Sequence, residues 1–369
     1  MKNILMINTA RDGGGASDIM NEIGRGLSKK LWKVEYITAT ESKLWRLGRS
    51  ALTADDLSWG SDITKSDLYK KADIVHLHNL HGGYFPLRLL PKISHEKKLI
   101  WTLHDLWAIQ PKSPVDGSDS LLSYPPMLWD HRRWLSHEKN RIYKNIKKMT
   151  VVAPSRWLFN KLQESPLNKF DLIYLPHGID TTIYKPGNQN QARQSLFLPR
   201  DKKVVLFAAA GGAKNPYKGW EYAAQAARDM PNVIFLCVGG LEKKQVGNVY
   251  YYPYADKKDL ARYYQSADAY LAPSLHELFG LTTANALASG LPIIAFRTDA
   301  LPELVHHGEN GYLSNVGDIV DMEKELIRVL SLTPERRKKM TLTNRARALK
   351  YYSLPTMIHA YEKIYRSTR

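Results

Sequence analysis

The stretch AYLAPSLHELFGLTTANALASGLPIIA, residues 269–295, decides the fold. Ala269–Ala272 and Pro292–Ala295 are short apolar runs, and Leu281–Ser289 between them has the composition of a helix. Apolar runs of this length joined through a helix are parallel strands covered on both faces. Gly280 lets the chain turn tightly into the helix, whose first turn then offers unpaired N–H groups and positive potential. The N–H groups of Gly280 and Leu281, with the hydroxyls of Thr282 and Thr283, suit a diphosphate at that end. Glu277, just upstream, is placed to accept hydrogen bonds from a ligand hydroxyl. A capped helix with a surface carboxylate is the plainer reading of the same residues.

The same rhythm runs outward in both directions. Asn3–Asn8, Val34–Thr38, Ile74–His78, Leu99–Leu103, Met149–Ala153 and Leu172–Leu175 form a first series of strand candidates, with helical patterns such as Ala16–Lys30 and Arg156–Gln163 between them. Val204–Ala209, Val233–Val238, Val249–Tyr252, Ala269–Ala272 and Pro292–Ala295 form a second, with helices over Trp220–Ala227, Lys258–Gln265 and Leu281–Ser289. Two such series predict an α/β protein of two Rossmann-like, doubly wound domains. The join falls near Pro176–Pro186, giving domains 1–185 and 186–351, and the polar Gly187–Gln194 has linker character. Ligands of open α/β sheets bind beyond the carboxyl ends of the strands, so the expected site is a cleft between two facing domains.

The 369 residues are 44% hydrophobic and 24% charged, as in a globular chain of two ordinary domains. No window approaches the ~18 apolar residues of a membrane span. Met1–Asn8 reads as a buried first strand rather than a signal-peptide core. Cys237 is the only cysteine, so no intrachain disulfide forms, and a reducing, cytoplasmic setting is expected. The net charge of +17 is shared almost evenly between the two halves and favours acidic partners. Two segments, Arg132–Lys148 and Glu335–Lys350, each hold seven basic residues and one acid. A helix over Arg132–Met149 puts Leu135, Ile142, Ile146 and Met149 on one face and Arg133, Arg141, Lys144 and Lys148 elsewhere. It reads as an ordinary surface helix or as a peripheral contact with the anionic inner face of a membrane. Gln110–Asp130 before it, with four prolines and no periodicity, reads as an irregular binding loop. No nucleic-acid motif accompanies the charge, so nucleic acid is not an expected partner.

Asp12-Gly-Gly-Gly-Ala-Ser17 follows the first strand and opens a helix; Gly13, Gly14 and Gly15 let the backbone approach a ligand closely, or simply make a turn. The spacing is not that of the dinucleotide fingerprint. Trp101-Thr-Leu-His-Asp105 ends a strand with a pair suited to acid–base work or to a structural hydrogen bond. His76-Leu-His-Asn-Leu-His81 invites a metal, but no cysteine or carboxylate completes a ligand set, so none is expected. Walker A and Gly-x-Ser-x-Gly sequences are absent, against an NTPase or an α/β-hydrolase.

In this order, the segments resemble the GT4-type family of retaining glycosyltransferases with the GT-B fold, over nearly the whole chain. The resemblance rests on Gly13–Gly15, His76-Leu-His-Asn79, Thr102-Leu-His-Asp105, Ala153-Pro-Ser-Arg156, Pro176-His-Gly-Ile-Asp180, Lys218-Gly219, Ala272-Pro-Ser274, Glu277-x-Phe-Gly280, Pro302-Glu-Leu-Val305 and Gly308-x-Asn-Gly311. It implies transfer of a sugar from a nucleotide-sugar donor to a saccharide or lipid-linked acceptor hydroxyl, in cell-surface polysaccharide or glycolipid synthesis. Among the implied roles, Lys218 pairs with the donor diphosphate, as do the amides of Gly280 and Leu281. Glu277 bonds the donor sugar's hydroxyls, and His104 contacts the transferred sugar, with Asp105 to orient it. Gly13–Gly15, Phe279, Thr282 and Asn285 fall on the donor side; His78, Asp105, Arg141 and Lys144 fall on the acceptor side. The last helix, roughly Pro355–Tyr365 within 352–369, is expected to return to the first domain. Asp-x-Asp is absent, so no metal or other cofactor is expected; the nucleotide-sugar is a co-substrate.

Three positions depart from the family. Asn285 stands where a ribose-binding Glu is usual, and an amide accepts fewer hydrogen bonds than a carboxylate. Gly212 stands where Arg is common, leaving Lys214 as a poorer substitute without the bidentate fork. Asp299-Ala300 replaces a common Gly-Gly and leaves a carboxylate near the expected donor-sugar pocket. These departures motivate the alternative, a non-catalytic sugar-nucleotide-binding protein of the same fold. An epimerase or phosphorylase of similar architecture fits Glu277–Gly311 less well.

Overall fold

The computed structural model describes residues 1–39, 62–82, 84–111, 113, 115 and 132–367. Most of the irregular loop predicted over Gln110–Asp130 lies outside the described residues. The chain divides into two compact units, Met1–Pro176 with Met357–Arg369, and His177–Thr356.

The first unit runs β1 (Lys2–Asn8), α1 (Gly15–Gly26), β2 (Trp32–Thr38), α2 (Asp67–Lys71), β3 (Ile74–Leu77), α3 (Leu90–Glu96), β4 (Lys98–Thr102), α4 (Arg132–Lys144), β5 (Thr150–Ala153), α5 (Arg156–Gln163) and β6 (Asp171–Tyr174). Its sheet has the order β2-β1-β3-β4-β5-β6, and every pairing is parallel. Ile4–Ile7, Val75, Ile100, Val151 and Val152 are almost wholly buried, as strands covered on both faces require. The strand order reverses at β1, so the switch point lies between the carboxyl ends of β1 and β3.

The second unit runs α6 (Gln189–Ser195), β7 (Val204–Ala208), α7 (Trp220–Asp229), β8 (Ile234–Gly240), β9 (Lys244–Val246), β10 (Val249–Pro253), α8 (Lys257–Ser266), β11 (Ala269–Ala272), α9 (Leu281–Ala288), β12 (Ile293–Phe296), α10 (Leu301–Leu304), β13 (Gly311–Ser314), α11 (Ile319–Leu330) and α12 (Pro334–Tyr351). The sheet order is β13-β12-β11-β7-β8-β10-β9, parallel but for the exposed edge strand β9. Alternate residues of each strand feed two cores, Val204, Leu206 and Ala208 one face and Val205 and Phe207 the other. The switch point lies between β7 and β11. A last helix, α13 (Leu354–Arg366), buries Tyr361 and Tyr365; from Met357 onward it belongs to the first unit.

The structure revises several expectations. The first unit ends at Pro176 rather than Lys185, because Ile179 exchanges backbone hydrogen bonds with Tyr352 and Leu354 of the second unit. The stretch expected as a linker is largely helical: Asn188 caps α6, and Arg193 turns inward to Asp268 at 2.8 Å and to the carbonyls of Ser266, Arg200 and Lys202. The basic helix expected to Met149 stops at Lys144, where Asn145 and Ile146 close three-residue turns onto Ile142 and Tyr143. Its inward face includes a cation, since Lys139 is buried, donates to the carbonyls of Trp107 and Gln110, and lies 3.9 Å over the Trp107 ring.

Candidate active site

In the second unit the loops after β7 and β11 converge at the switch point, and they carry Lys218 and Glu277. Lys218 is held by a tight turn. Gly219 caps α7 at φ 64°, and a Cβ there would lie 2.0 Å from the Pro273 carbonyl oxygen, so only glycine fits. Glu277 enters from β11 by a loop tied to Tyr217, whose carbonyl accepts from Leu275 N–H at 2.9 Å. The Lys218 ammonium and the Glu277 carboxylate are directly ion-paired, both side chains mostly buried. Behind Glu277, Gly280 at φ 91° caps α9, and its carbonyl accepts the first helical bond from Ala284 at 2.8 Å. No side chain caps α9, so the amides of its first turn keep their donor capacity.

A third loop, after β12, clamps the second. The Asp299 carboxylate accepts from the Glu277 N–H at 2.9 Å, Ala300 N–H donates to the Glu277 carbonyl at 3.1 Å, and Thr298 Oγ1 donates to the Leu275 carbonyl at 3.0 Å. Asp299 does this at φ 43°, a left-handed backbone that Asp tolerates better than most residues. Its Oδ2 also lies 3.6 Å from His276 Nδ1. The sequence marks Asp299 as a departure but gives no hint that it holds Glu277.

Other predicted donor-side residues are placed differently. Phe279 is core, edge-on to His177 and Tyr352 at 5.1 and 5.9 Å. Thr283 is buried against the Tyr270 hydroxyl, which also reaches Thr282. Asn285 is buried with its side chain on the Tyr264 hydroxyl. Gly212, at φ 54°, lies so close to β8 that a Cβ would be 2.8 Å from Gly240 N and 2.9 Å from its Cα. This backbone therefore has no room for an arginine at position 212. Lys214 is exposed on the same short turn, where its charge helps hold the Glu242 carboxyl below its ordinary range, after the larger effect of Lys244.

In the first unit the loops after β1, β3 and β4 carry the remaining candidates. Gly13 (φ 88°) and Gly14 (φ 151°) lead into α1, which starts at Gly15, and a Cβ on Gly13 or Gly14 would meet nothing within 4 Å. The backbone is thus open in front of this loop. His78 Nδ1 and His104 Nε2 are hydrogen-bonded at 2.8 Å. The Asp105 carboxylate takes His81 Nε2 at 3.0 Å and the Trp107 N–H at 2.9 Å, so the partner it orients is His81 rather than His104. Burial pushes the His104 imidazole down to about 4 against the opposing charge of Asp105. Burial pushes Asp105 up, but the hydrogen bond and charge of His81, the Trp107 amide and His104 outweigh it and hold the carboxyl below its ordinary value. His76 offers no metal ligand, since its two nitrogens bond the Tyr365 and Thr102 hydroxyls, each at 2.8 Å. Among the described residues no cluster of three His, Cys, Asp or Glu is arranged to hold a metal ion. Arg141 is exposed and paired with Glu138 at 2.6 Å, and Lys144 is exposed beside it. No helix among the described residues is long and apolar enough to cross a membrane.

Comparison with known proteins agrees with this layout. Residues 13–183 match the family described as Glycosyltransferase Family 4, and residues 188–347 match Glycosyl transferases group 1. A D-inositol 3-phosphate glycosyltransferase of Mycobacterium leprae is 28% identical over 284 residues, covering 72% of this chain and 62% of the relative, so the chain spans about three fifths of that protein's length. Sucrose-phosphate synthase from Thermosynechococcus elongatus superimposes with a TM-score of 0.74 at 18% identity, covering 99% of this chain and 98% of that one. Anabaena HepE in complex with UDP-glucose gives 0.70 at 16% identity, with 99% of each chain covered. Each half of the sequence thus finds its counterpart in one two-domain architecture, and the chain belongs to the group 1, family 4 glycosyltransferases of GT-B fold.

Proposed function

We propose that the protein transfers a sugar, with retention at the anomeric carbon, from a nucleotide-sugar to an acceptor hydroxyl. The observation that carries this is the Lys218–Glu277 ion pair beside the uncapped first turn of α9. The donor diphosphate takes the Lys218 ammonium and the amides of Gly280 and Leu281, releasing Glu277 to accept hydrogen bonds from the sugar. As the glycosidic bond to phosphate breaks, the charge left on the phosphate is met by Lys218 and by the helix N-terminus. The acceptor attacks from the face the phosphate leaves, and a phosphate oxygen takes its proton. No metal is needed when a lysine and aligned amides supply this charge. His104, held neutral by burial, contacts the transferred sugar as a hydrogen-bonding group.

The UDP-glucose bound by Anabaena HepE makes a UDP-sugar the first donor to test. The mycobacterial relatives, named for D-inositol 3-phosphate, make a phosphorylated acceptor a second suggestion, consistent with a net charge of +17. A saccharide or lipid-linked acceptor of cell-surface synthesis is reached at a cytoplasmic membrane face, and exposed Arg141 and Lys144 are the cations proposed for that side. Thermal-shift measurements with UDP, GDP, ADP and their sugars, with and without EDTA, test the donor half. One nucleotide family should stabilise the protein, EDTA should change nothing, and Lys218→Ala should lose the shift. A second reading, sugar-nucleotide binding without turnover, is favoured by Asn285, whose amide is engaged with Tyr264 where a ribose carboxylate is usual. Donor stabilisation without hydrolysis or transfer would establish it.

A further inference from the structure

His78 is one link in a chain of polar contacts through the first unit, ending at His104. His78 is 1% exposed, and its carbonyl accepts from Trp101 Nε1 at 2.8 Å, so its backbone is pinned to β4. Its ring packs on the fully buried His76 ring at 4.4 Å between centroids. His76 is itself immobilised by the Tyr365 and Thr102 hydroxyls, and Thr102 Oγ1 shares a 2.8 Å bond with the Tyr361 hydroxyl. Tyr361 and Tyr365 both come from α13. The far end of the chain is the 2.8 Å contact between His78 Nδ1 and His104 Nε2, with the two ring planes inclined by 22°.

We propose that His78 is a positioning residue for His104, fixing its ring orientation and a single tautomer, and that α13 supports this through Tyr361, Tyr365 and His76. The role of His104 toward a sugar rests on the function proposed above; the positioning does not. Two neutral imidazoles at this distance have one hydrogen between the facing nitrogens. Either His104 Nε2–H donates to His78, or His78 Nδ1–H donates to His104, and each choice leaves His104 with one defined tautomer. Two protonated rings would set N–H against N–H, so the pair takes up at most one proton. Burial acts in the same direction, pushing His104 down to about 4. Among the described residues, the titratable groups near the pair include His76, packed on His78, and Asp105 with its partner His81, with Tyr361 and Tyr365 behind His76.

The test is two-dimensional nitrogen–proton NMR of the imidazoles in the full chain labelled with 15N-histidine, with His104 assigned by its loss in His104→Gln. The wild type should show His104 as a single neutral tautomer from pH 8 down to pH 5.5. In His78→Ala the His104 nitrogens should average between tautomers, because the group that selects one of them is gone. His78→Asn, whose amide lies where Nδ1 was, should restore one tautomer, and Tyr365→Phe should have a weaker effect in the direction of His78→Ala. Variants are compared only at matched melting temperature; if His78→Ala does not fold, the His78→Asn and Tyr365→Phe spectra decide. An unchanged His104 spectrum in His78→Ala, or one no different between Ala and Asn, overturns the proposal. In turnover, His78→Ala should lower kcat at least ~10-fold with little change in donor KM, a loss of orientation rather than of binding. If no donor supports turnover in the wild type, the transferase reading fails while the spectra still decide the positioning.

Discussion

Asp299 gives the sharpest test of how the donor half is held together. Its side chain is 12% exposed, bonds the Glu277 N–H at 2.9 Å, and sits on a backbone at φ 43°. A hydrogen bond to a charged acceptor contributes about 1.5–3 kcal/mol, and partial exposure puts this one near the lower end, about 2. A left-handed backbone costs a residue with a Cβ about 1 kcal/mol relative to glycine. Asp299→Ala loses the bond and keeps the strain, a destabilisation of about 2 kcal/mol. Asp299→Gly loses the bond and relieves the strain, leaving about 1 kcal/mol. Asp299→Asn keeps an oxygen acceptor and a tolerated left-handed backbone, so it should fall within about 1 kcal/mol of wild type. In a unit of this size each kcal/mol shifts Tm by about 2–4 °C, giving the order Asn, Gly, Ala in scanning calorimetry. The ligand arm is separate. Loosening the 275–277 loop should weaken the nucleotide-sugar more than the free nucleotide, because in the proposed mechanism Glu277 meets the sugar whereas the phosphates meet Lys218 and α9. Equal Tm for the Ala and Gly variants, or equal losses for sugar-nucleotide and nucleotide, would refute the argument.

His76 and His104 are pushed down to about 3 and about 4 by burial. Both bind protons more readily unfolded, so their contribution to stability is complete above ~6.5 and falls as pH drops toward those values, by about 1.4 kcal/mol per unit for each. Urea unfolding of the wild type at pH 8 and pH 5.5 should therefore differ by about 3 kcal/mol from these two residues, and a His76→Gln variant should show a shallower slope; a flat profile rejects the burial account. Gly212→Arg, which restores the family's usual residue, should cost about 2–4 kcal/mol rather than improve donor binding, since a Cβ would lie 2.8 Å from Gly240 N; a thermal melt together with a nucleotide titration checks both halves of that statement. Burial pushes the Cys237 thiol up to about 12, so the native protein should resist thiol reagents at pH 8 and label only on unfolding; rapid labelling without loss of structure would place Cys237 outside the core.

Strands of the parallel sheets were legible because burial on both faces forces continuous apolar runs, and Val204–Ala208, Ala269–Ala272 and Ile74–Leu77 are nearly pure examples. Where an element is not buried that way, the signal fails. β9 is a three-residue exposed edge, Lys-Gln-Val, with no apolar pattern. The helix α6 is polar but for Ala192, and its inward face is Ala192 with Arg193, an arginine that reads as surface. Lys139 misleads in the same way, one of the seven basic residues of Arg132–Lys148 although two carbonyls and a tryptophan ring bury it. The candidate site divides along the same line. Turns that need glycine announce themselves, and Gly219 and Gly280 locate Lys218 and Glu277 at the ends of β7 and β11. Which polar groups pair is a matter of three-dimensional approach, and no local pattern encodes it. Asp105 follows His104 in sequence but bonds His81; His104 bonds His78 from the neighbouring strand; and Glu277 is steadied by Asp299 from a different loop. Each of these partners comes from an adjacent strand's carboxyl-terminal loop, which follows from sheet order. Once β1, β3 and β4, or β7, β11 and β12, are neighbours, the loops leaving them have to satisfy one another's polar groups. The strand order therefore carries the information that the motifs lack, and a substitution in one of these loops is best judged by the neighbouring strand's loop rather than by its own sequence context.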